Sequence, residues 1–231
     1  MVTYKDVLAA NDVLKDVVIQ TPMRRDGYLS EKYDANIYLK QENVQKVRSF
    51  KLRGAYYAIH NLPQNQLKCG VVCASAGNHA QGVAYSASRL KINNIIVMPR
   101  TTPDIKVNAV KALGGNVLLH GDSFDEAYGA ARELEAQAGL AFIHPYDDPD
   151  VIAGQGTIGL ELLNQLPDVE VVIVPIGGGG LISGVAYALK SLKPDVKVYG
   201  VQAQGAPSML RSIEHERREC LSSVSTIADG I

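Results

Sequence analysis

Three cysteines in 231 residues, Cys69, Cys73 and Cys220, are too few and too unevenly spaced for a disulfide framework. The odd count points to reduced thiols in a cytosolic setting. Cys69 and Cys73 stand in a C-x3-C spacing, not C-x2-C, on an expected buried strand, and read as core thiols rather than a metal or redox pair. Charge of one sign is also lacking. The 23 Lys and Arg against 24 Asp and Glu leave a net −1, so nothing electrostatic favours nucleic acid or an anionic membrane. No apolar run approaches the ~20 residues of a membrane span. The N-terminal "MVTYKDVLAANDVLKDVV" has an amphipathic helical pattern without the uninterrupted apolar core of a secretory signal. Internal repeats and low-complexity linkers are absent as well.

What is present is an ordinary globular composition, 46% hydrophobic and 20% charged, on a chain long enough for a sizeable core. Short β-branched runs alternate with longer helical patterns. Strands are expected at Ile37–Lys40, Gly70–Ala74, Asn94–Met98, Asn116–His120, Ala141–His144, Val169–Pro175 and Val196–Val201. Helices are expected at Ser49–His60, Asn78–Leu90, Pro103–Leu113, Ser123–Ala138, Gly156–Leu166 and Leu181–Leu192. "GVVCA", "NIIVM" and "EVVIVP" are apolar on both faces, the mark of a sheet covered on both sides. Strand–helix alternation then gives an α/β fold with mostly parallel sheet and right-handed crossovers. Two domains would be joined by short crossings, one around Asn36–Glu42 and one in the polar "HPYDDPD" at 144–150.

Four consecutive glycines, Gly177 to Gly180, lie between an apolar strand and a helix. Without Cβ atoms such a turn takes φ > 0 and lets a ligand approach the backbone. Its N–H groups converge beside a helix N-terminus, an arrangement suited to phosphate. The spacing is not G-x-G-x-x-G and no acidic residue ends a strand about 20 residues on. No Gly-Lys-Ser/Thr follows either. A small phosphorylated cofactor fits better than a dinucleotide or a nucleoside triphosphate.

A second loop, "CASAGNHAQGVA" from Cys73, also follows a strand and opens a helix. Ser75 and Asn78 suit helix capping. The same positions suit a ligand, with free N–H groups receiving a carboxylate and the Asn78 amide bonding a ring oxygen. His79 reads as a structural residue beside the site rather than a catalytic base. In "RSFKLRGA" (48–55), Lys51 follows Phe50 at the mouth of a helix that continues into the apolar Ala55–Ile59. Alone, the octapeptide leaves a surface lysine and a reactive amine both open.

Together, "SFKLRGA" (49–55), "SAGNHAQGVA" (75–84), "GQGT" (154–157), "GGGGL" (177–181) and "TIADG" (226–230) closely resemble the fold-type-II pyridoxal-phosphate enzymes, a tryptophan synthase β-like fold. The specific likeness is to threonine dehydratases (threonine ammonia-lyases), with serine racemase a close relative, and it runs nearly the length of the chain. The resemblance implies two open parallel-sheet domains. Residues 1–40 and 145–231 would form a large cofactor domain, 41–144 a small one carrying the Asn loop. It implies pyridoxal 5'-phosphate as cofactor, with Lys51 as catalytic residue holding it in a Schiff base. Phe50 would lie on the cofactor ring, Asn78 would bond its oxygen, and Gly177, Gly178, Gly179, Gly180 and the Leu181 amide would hold the phosphate. Ser75, Ala76, Gly77 and His79 would line the substrate carboxylate.

The implied reaction is deamination of L-threonine to 2-oxobutanoate and ammonia by α,β-elimination, with the amine of Lys51 removing the Cα proton and L-serine a secondary substrate. Leu52 argues against the threonine synthases, which often read "SFKDRG". Ala76 stands where serine racemase has a second serine, which favours elimination over racemisation. Gln202 and Ser208 stand where racemase-like members place metal carboxylates, so no divalent metal is expected, while a neutral oxygen cage for a monovalent ion stays open. A homo-oligomer is implied, and the metabolic setting, isoleucine biosynthesis or threonine breakdown, is left open. The family continues past "ADGI" with further strands and a partner for the pyridine nitrogen. The large domain is therefore expected to be incomplete in this chain, with an unpaired sheet edge, an exposed apolar face and no regulatory domain. An inactive cofactor-binding fragment is the competing reading.

Overall fold

The computed structural model of the chain describes residues 2–228. In chain order the elements are α1 (Tyr4–Leu14), β1 (Met23–Arg25), α2 (Gly27–Lys32), β2 (Tyr38–Lys40), a 3-10 turn (Glu42–Val44), α3 (Lys51–His60), α4 (Gln64–Cys69), β3 (Val71–Ala74), α5 (Asn78–Leu90), β4 (Asn94–Met98), α6 (Asp104–Ala112), β5 (Val117–Leu119), α7 (Phe124–Ala138), β6 (Ala141–Phe142), α8 (Pro149–Gln165), β7 (Val171–Pro175), α9 (Gly180–Leu192), β8 (Lys197–Val201) and α10 (Ser208–Glu214). Local chemistry fixes several helix starts. Thr3 with Asp6 and Ser123 with Glu126 close capping boxes ahead of α1 and α7. Asp148 accepts from the amides of Asp150 and Val151, with Pro149 as the first residue of α8.

β3 to β6 form one parallel sheet in the order β5-β4-β3-β6, with α5, α6 and α7 as crossovers. One face is covered by α3, α5 and α6 through Ala55, Ile59, Val83, Ala84, Val107 and Val110. The other is covered by Ala127, Ala130 and Ala131 of α7. Ile96 and Met98 are fully buried in this sheet, each stabilising by roughly 1.5–3 kcal/mol. The strand edge that carries the C-terminal ends therefore opens onto the loops after β3 and β6, where ligands gather in open α/β sheets.

β7 and β8 pair in parallel as a separate sheet. Val172 and Val174 pack against Ile158, Leu162, Val185 and Leu189 of α8 and α9. Their neighbours point the other way, and Val171, Ile173, Tyr199 and Val201 are exposed. "EVVIVP" is thus buried on one face only among the described residues, where burial on both was expected. The reason is that no described element packs over the second face.

Other expectations shift. Ile37–Lys40 contributes only β2, which pairs antiparallel with β1 and joins neither parallel sheet. Ala141–His144 pairs only over Ala141–Phe142, because the chain then enters a turn that the His144 ring accepts. Gly156–Leu166 is the second part of a helix that begins at Pro149, as the Asp-Pro start signal dictates. Cys69 closes α4 and is exposed, whereas Cys73 lies on β3 with its thiol pushed up by burial. The two thiols therefore do not share a strand. "TIADG" runs past Ala228, and its last residues lie outside the described ones.

Candidate functional site

α3 begins at Lys51, with Phe50 as its cap residue and the Ser49 hydroxyl accepting from the Lys51 amide at 3.2 Å. The helix is held by an ion network below its first turn. Arg53 is fully buried and grips Glu42 through two bonds, Nε to Oε2 at 2.9 Å and Nη2 to Oε1 at 2.8 Å. Its Nη1 meets Glu161 at 2.6 Å and Thr157 at 3.1 Å. Lys40 closes the network on Glu161 Oε2 at 2.5 Å. Charges this deep persist only when paired and hydrogen-bonded, so β2, the 3-10 turn, α3 and α8 are tied in one register. Lys51 is consequently presented inward. Burial lowers its amine to about 8. Nζ donates to the carbonyl of Pro145 at 2.6 Å and sits 5.5 Å from the centre of the Phe50 ring.

α5 crosses α3 closely. A Cβ on Gly82 would meet the Lys51 carbonyl oxygen at 3.1 Å, so the small residues of "SAGNHAQGVA" serve this approach. Neither Ser75 nor Asn78 caps the helix. The Ser75 hydroxyl accepts from the Gly77 amide at 3.2 Å, and the Gly77 cap position has no side-chain bond. The N–H groups of Asn78, His79 and Ala80 have no protein acceptor among the described residues. Asn78 is exposed at the start of α5, with Ser75, Ala76 and Gly77 half-buried before it. The His79 side chain turns away from this opening. Nε2 bonds the Ile143 carbonyl at 2.9 Å, and burial, with Lys51 second, pushes the ring down to about 3. It is a neutral structural donor.

The tetraglycine turn links β7 to α9. Gly179 has φ +92, and a substituent there would be strained. From Gly177 to Ile182 no backbone N–H meets a protein acceptor among the described residues, and the first such amide in α9 to do so is that of Ser183. Consecutive N–H groups at a helix N-terminus of thirteen residues form an anion cradle. Its position relative to Lys51 is fixed by two backbone-to-backbone helix crossings. Gly154 of α8 sits against Arg53 and Gly54 of α3, and Gly184 of α9 against Ile152 and Gly156 of α8.

The segment after β6 joins these parts, and it carried no site role in the sequence reading. The Ile143 carbonyl holds His79, the Pro145 carbonyl holds Lys51, and the Tyr146 ring covers the Cα of Gly178. The missed signal is its place. "HPYDDPD" follows the C-terminal end of a central parallel strand, the ligand edge of such a sheet. At the far end, Gln202 Oε1 accepts from the amides of Met209 and Leu210 while Nε2 reaches Ser208 Oγ at 3.4 Å. Both side chains serve the start of α10.

Residues 14–231 match the model of a family described as pyridoxal-phosphate dependent enzyme. The L-threonine ammonia-lyase of Thermotoga maritima is 52% identical over 231 residues, covering all of this chain and 58% of that protein. The chain therefore spans little more than half the length of this curated relative. The processed form of threonine deaminase isoform 2 from Solanum lycopersicum superposes with a TM-score of 0.95 at 50% identity, over 98% of this chain and 62% of that one. Maize serine racemase superposes with a TM-score of 0.96 at 35% identity, over 99% and 70%. These likenesses give the chain a fold-type-II α/β architecture. With a half-buried lysine at the start of α3 and a strand-to-helix tetraglycine turn, and with residues 14–231 matched, the chain belongs to the pyridoxal-phosphate dependent enzyme family.

Proposed function

We propose that this chain carries the cofactor and substrate site of a threonine dehydratase, which deaminates L-threonine to 2-oxobutanoate and ammonia and accepts L-serine less well. The observation that carries the reading is the half-buried Lys51 amine, lowered to about 8, joined through Pro145 and Tyr146 to the turn that bears the acceptor-free N–H groups of Gly177 to Ile182. The two fit the aldehyde and the phosphate of pyridoxal phosphate respectively. The family membership and the 52% identity to a threonine ammonia-lyase support it.

When bound, the cofactor supplies the electron sink for the reaction. The protein supplies orientation and proton transfer. Gly177, Gly178, Gly179, Gly180 and the Leu181 amide would hold the phosphate, Phe50 would lie beside the ring and Asn78 would bond its oxygen. Ser75, Ala76 and Gly77, with the free amides at the start of α5, receive the substrate carboxylate. An ordinary lysine amine stays protonated near neutrality and is no base. At about 8, a useful fraction of Lys51 is neutral, so its Nζ could serve as a nucleophile toward an aldehyde and, when free, as the base that takes a Cα proton. Ala76 has no proton to give to the opposite face, which supports elimination over racemisation.

The strands of 71–142 and those of 171–201 belong to different sheets, which supports a small lobe over 41–144 beside a lobe of 1–40 with 145–231. No helix among the described residues is long and apolar enough to cross a membrane, and the three free cysteines support a cytosolic setting. A homo-oligomer is part of this reading. Mixing the chain with pyridoxal phosphate should give an absorption band at the edge of the visible, absent in Lys51→Ala. Ketoacid release should be faster from threonine than from serine. A folded chain with no band sinks the reading.

A further inference from the structure

His144 stands between the sheet and the site, and its ring does an unusual job. Nδ1 accepts two backbone N–H groups, that of Asp147 at 2.8 Å and that of Tyr146 at 3.3 Å. A nitrogen that accepts from amides carries no proton, so the neutral ring is the Nε2–H tautomer. The arrangement copies an Asx turn, with an imidazole in place of a side-chain carbonyl. Inside the turn it closes, the Pro145 carbonyl takes the Lys51 amine at 2.6 Å. The Tyr146 ring lies edge-on to the imidazole at 4.7 Å between centres, and its other side covers Gly178. One turn therefore touches the reactive amine and the phosphate cradle at once.

We propose that His144 is a positioning residue whose unprotonated Nδ1 holds the 145–147 turn against Lys51 and the tetraglycine loop, so that protonating the ring releases both contacts. Protonation puts a hydrogen on Nδ1, which then faces two amide donors and can accept from neither. The charged groups around the ring oppose one another. Asp147 and Asp148 on its own segment favour the charged form, while Lys51 of α3, Arg132 of α7 and partial burial disfavour it, burial most. The neutral His79 of α5 and the Phe142 ring, 6.2 Å away, complete the surroundings. The balance lowers the ring from its ordinary value, with burial as the largest cause.

The inference deepens the proposed function and rests on it, so its test carries a readout that needs no cofactor. Amide exchange at Tyr146 and Asp147 is measured on the 231-residue chain and on His144→Phe and His144→Asn, alongside the affinity for pyridoxal phosphate. Asparagine keeps an acceptor that does not titrate. His144→Phe should raise exchange at both amides and weaken cofactor binding, each about tenfold, as expected for two lost hydrogen bonds. His144→Asn should recover most of both. Wild type, corrected for intrinsic exchange, should lose protection as the His144 ring protonates, followed by its own NMR resonance, whereas His144→Asn should not. Unchanged protection in wild type across that titration overturns the proposal even if His144→Phe fails to fold. Full protection and affinity in a folded His144→Phe overturn it as well. Absence of any cofactor band in wild type would instead overturn the proposed function, and the exchange result would still decide the role of His144.

Discussion

Gly154 rests on Gly54. A Cβ on Gly154 would lie 2.7 Å from the Cα of Gly54 and 2.7 Å from the carbonyl oxygen of Arg53. α3 and α8 thus cross with their backbones in contact, three residues after the lysine that opens α3. The same helix α8 meets α9 through Gly156 and Gly184. The span between the Lys51 amine and the tetraglycine turn is therefore set by glycine contacts rather than by long side chains, and interiors this dense transmit a misfit instead of absorbing it.

Gly154→Ala should push α3 off α8, because the atoms met are backbone and cannot rotate away. A loss of about 1–3 kcal/mol is expected from overpacking, together with weaker cofactor binding because Lys51 moves with its helix. Gly129→Ala is the control. Gly129 lies mid-helix in α7 with nothing within 4 Å of an added Cβ, so that change should stabilise by up to about 1 kcal/mol. Urea melts of the two variants and a pyridoxal phosphate titration check this. Equal stability would show that the crossing yields.

Glu161→Gln should cost about 3 kcal/mol, the low end of the penalty for breaking a buried pair, because Lys40 loses its carboxylate while Arg53 keeps Glu42. Glu161 serves Arg53 and Lys40 together, and Arg53 is fully buried. Arg53→Lys should not preserve the network, since a lysine cannot reproduce the two-bond grip on Glu42. Chemical denaturation measures both losses. A loss for Glu161→Gln below about 1 kcal/mol, the range of exposed pairs, would mean that water reaches the network.

Much of this was legible in the chain. The tetraglycine turn, the Asn loop and Lys51 carry local signals, because glycine runs and strand-to-helix turns are punctuation that neighbours in sequence impose. The central strands read correctly because burial on both faces leaves continuous apolar runs. The segment from His144 to Asp147 was not legible as part of the site. Its polar, proline-containing composition is that of any connection, and its role comes from contacts to Lys51, 94 positions back, and to Gly178. Of the antiparallel β1–β2 pair, β2 falls within the expected Ile37–Lys40, whereas β1 gives no signal, since a three-residue strand is too short to establish a period.

His79 gives the acid limit of stability. Its ring is held neutral down to about 3 in the folded chain, by burial first and by Lys51 second, against 6.5 ordinarily. Between these values the unfolded chain binds a proton that the folded chain refuses, so stability falls as pH falls from 6.5 toward 3. The slope from this group is at most about 1.4 kcal/mol per pH unit. Stability measured against pH should lose this slope in His79→Gln. An unchanged slope would place the titration elsewhere.

Lys51 acts on the alkaline side. Its folded value of about 8 lies below the ordinary 10.5, and desolvation is the cause. Between 8 and 10.5 the unfolded chain holds a proton on this amine and the folded chain does not, so folding gains stability as pH rises through that window. Below 8 both states are protonated, and the folded chain bears the full burial cost of the ammonium. Lys51→Met removes the charge while keeping most of the length. It should stabilise the cofactor-free chain by on the order of 3 kcal/mol at pH 7, with the advantage over wild type shrinking toward zero near pH 10.5. The comparison cancels other groups that titrate at high pH, because they are common to both proteins. A methionine variant no more stable than wild type at pH 7 would mean that the amine escapes to water and that burial does not depress it in the folded chain.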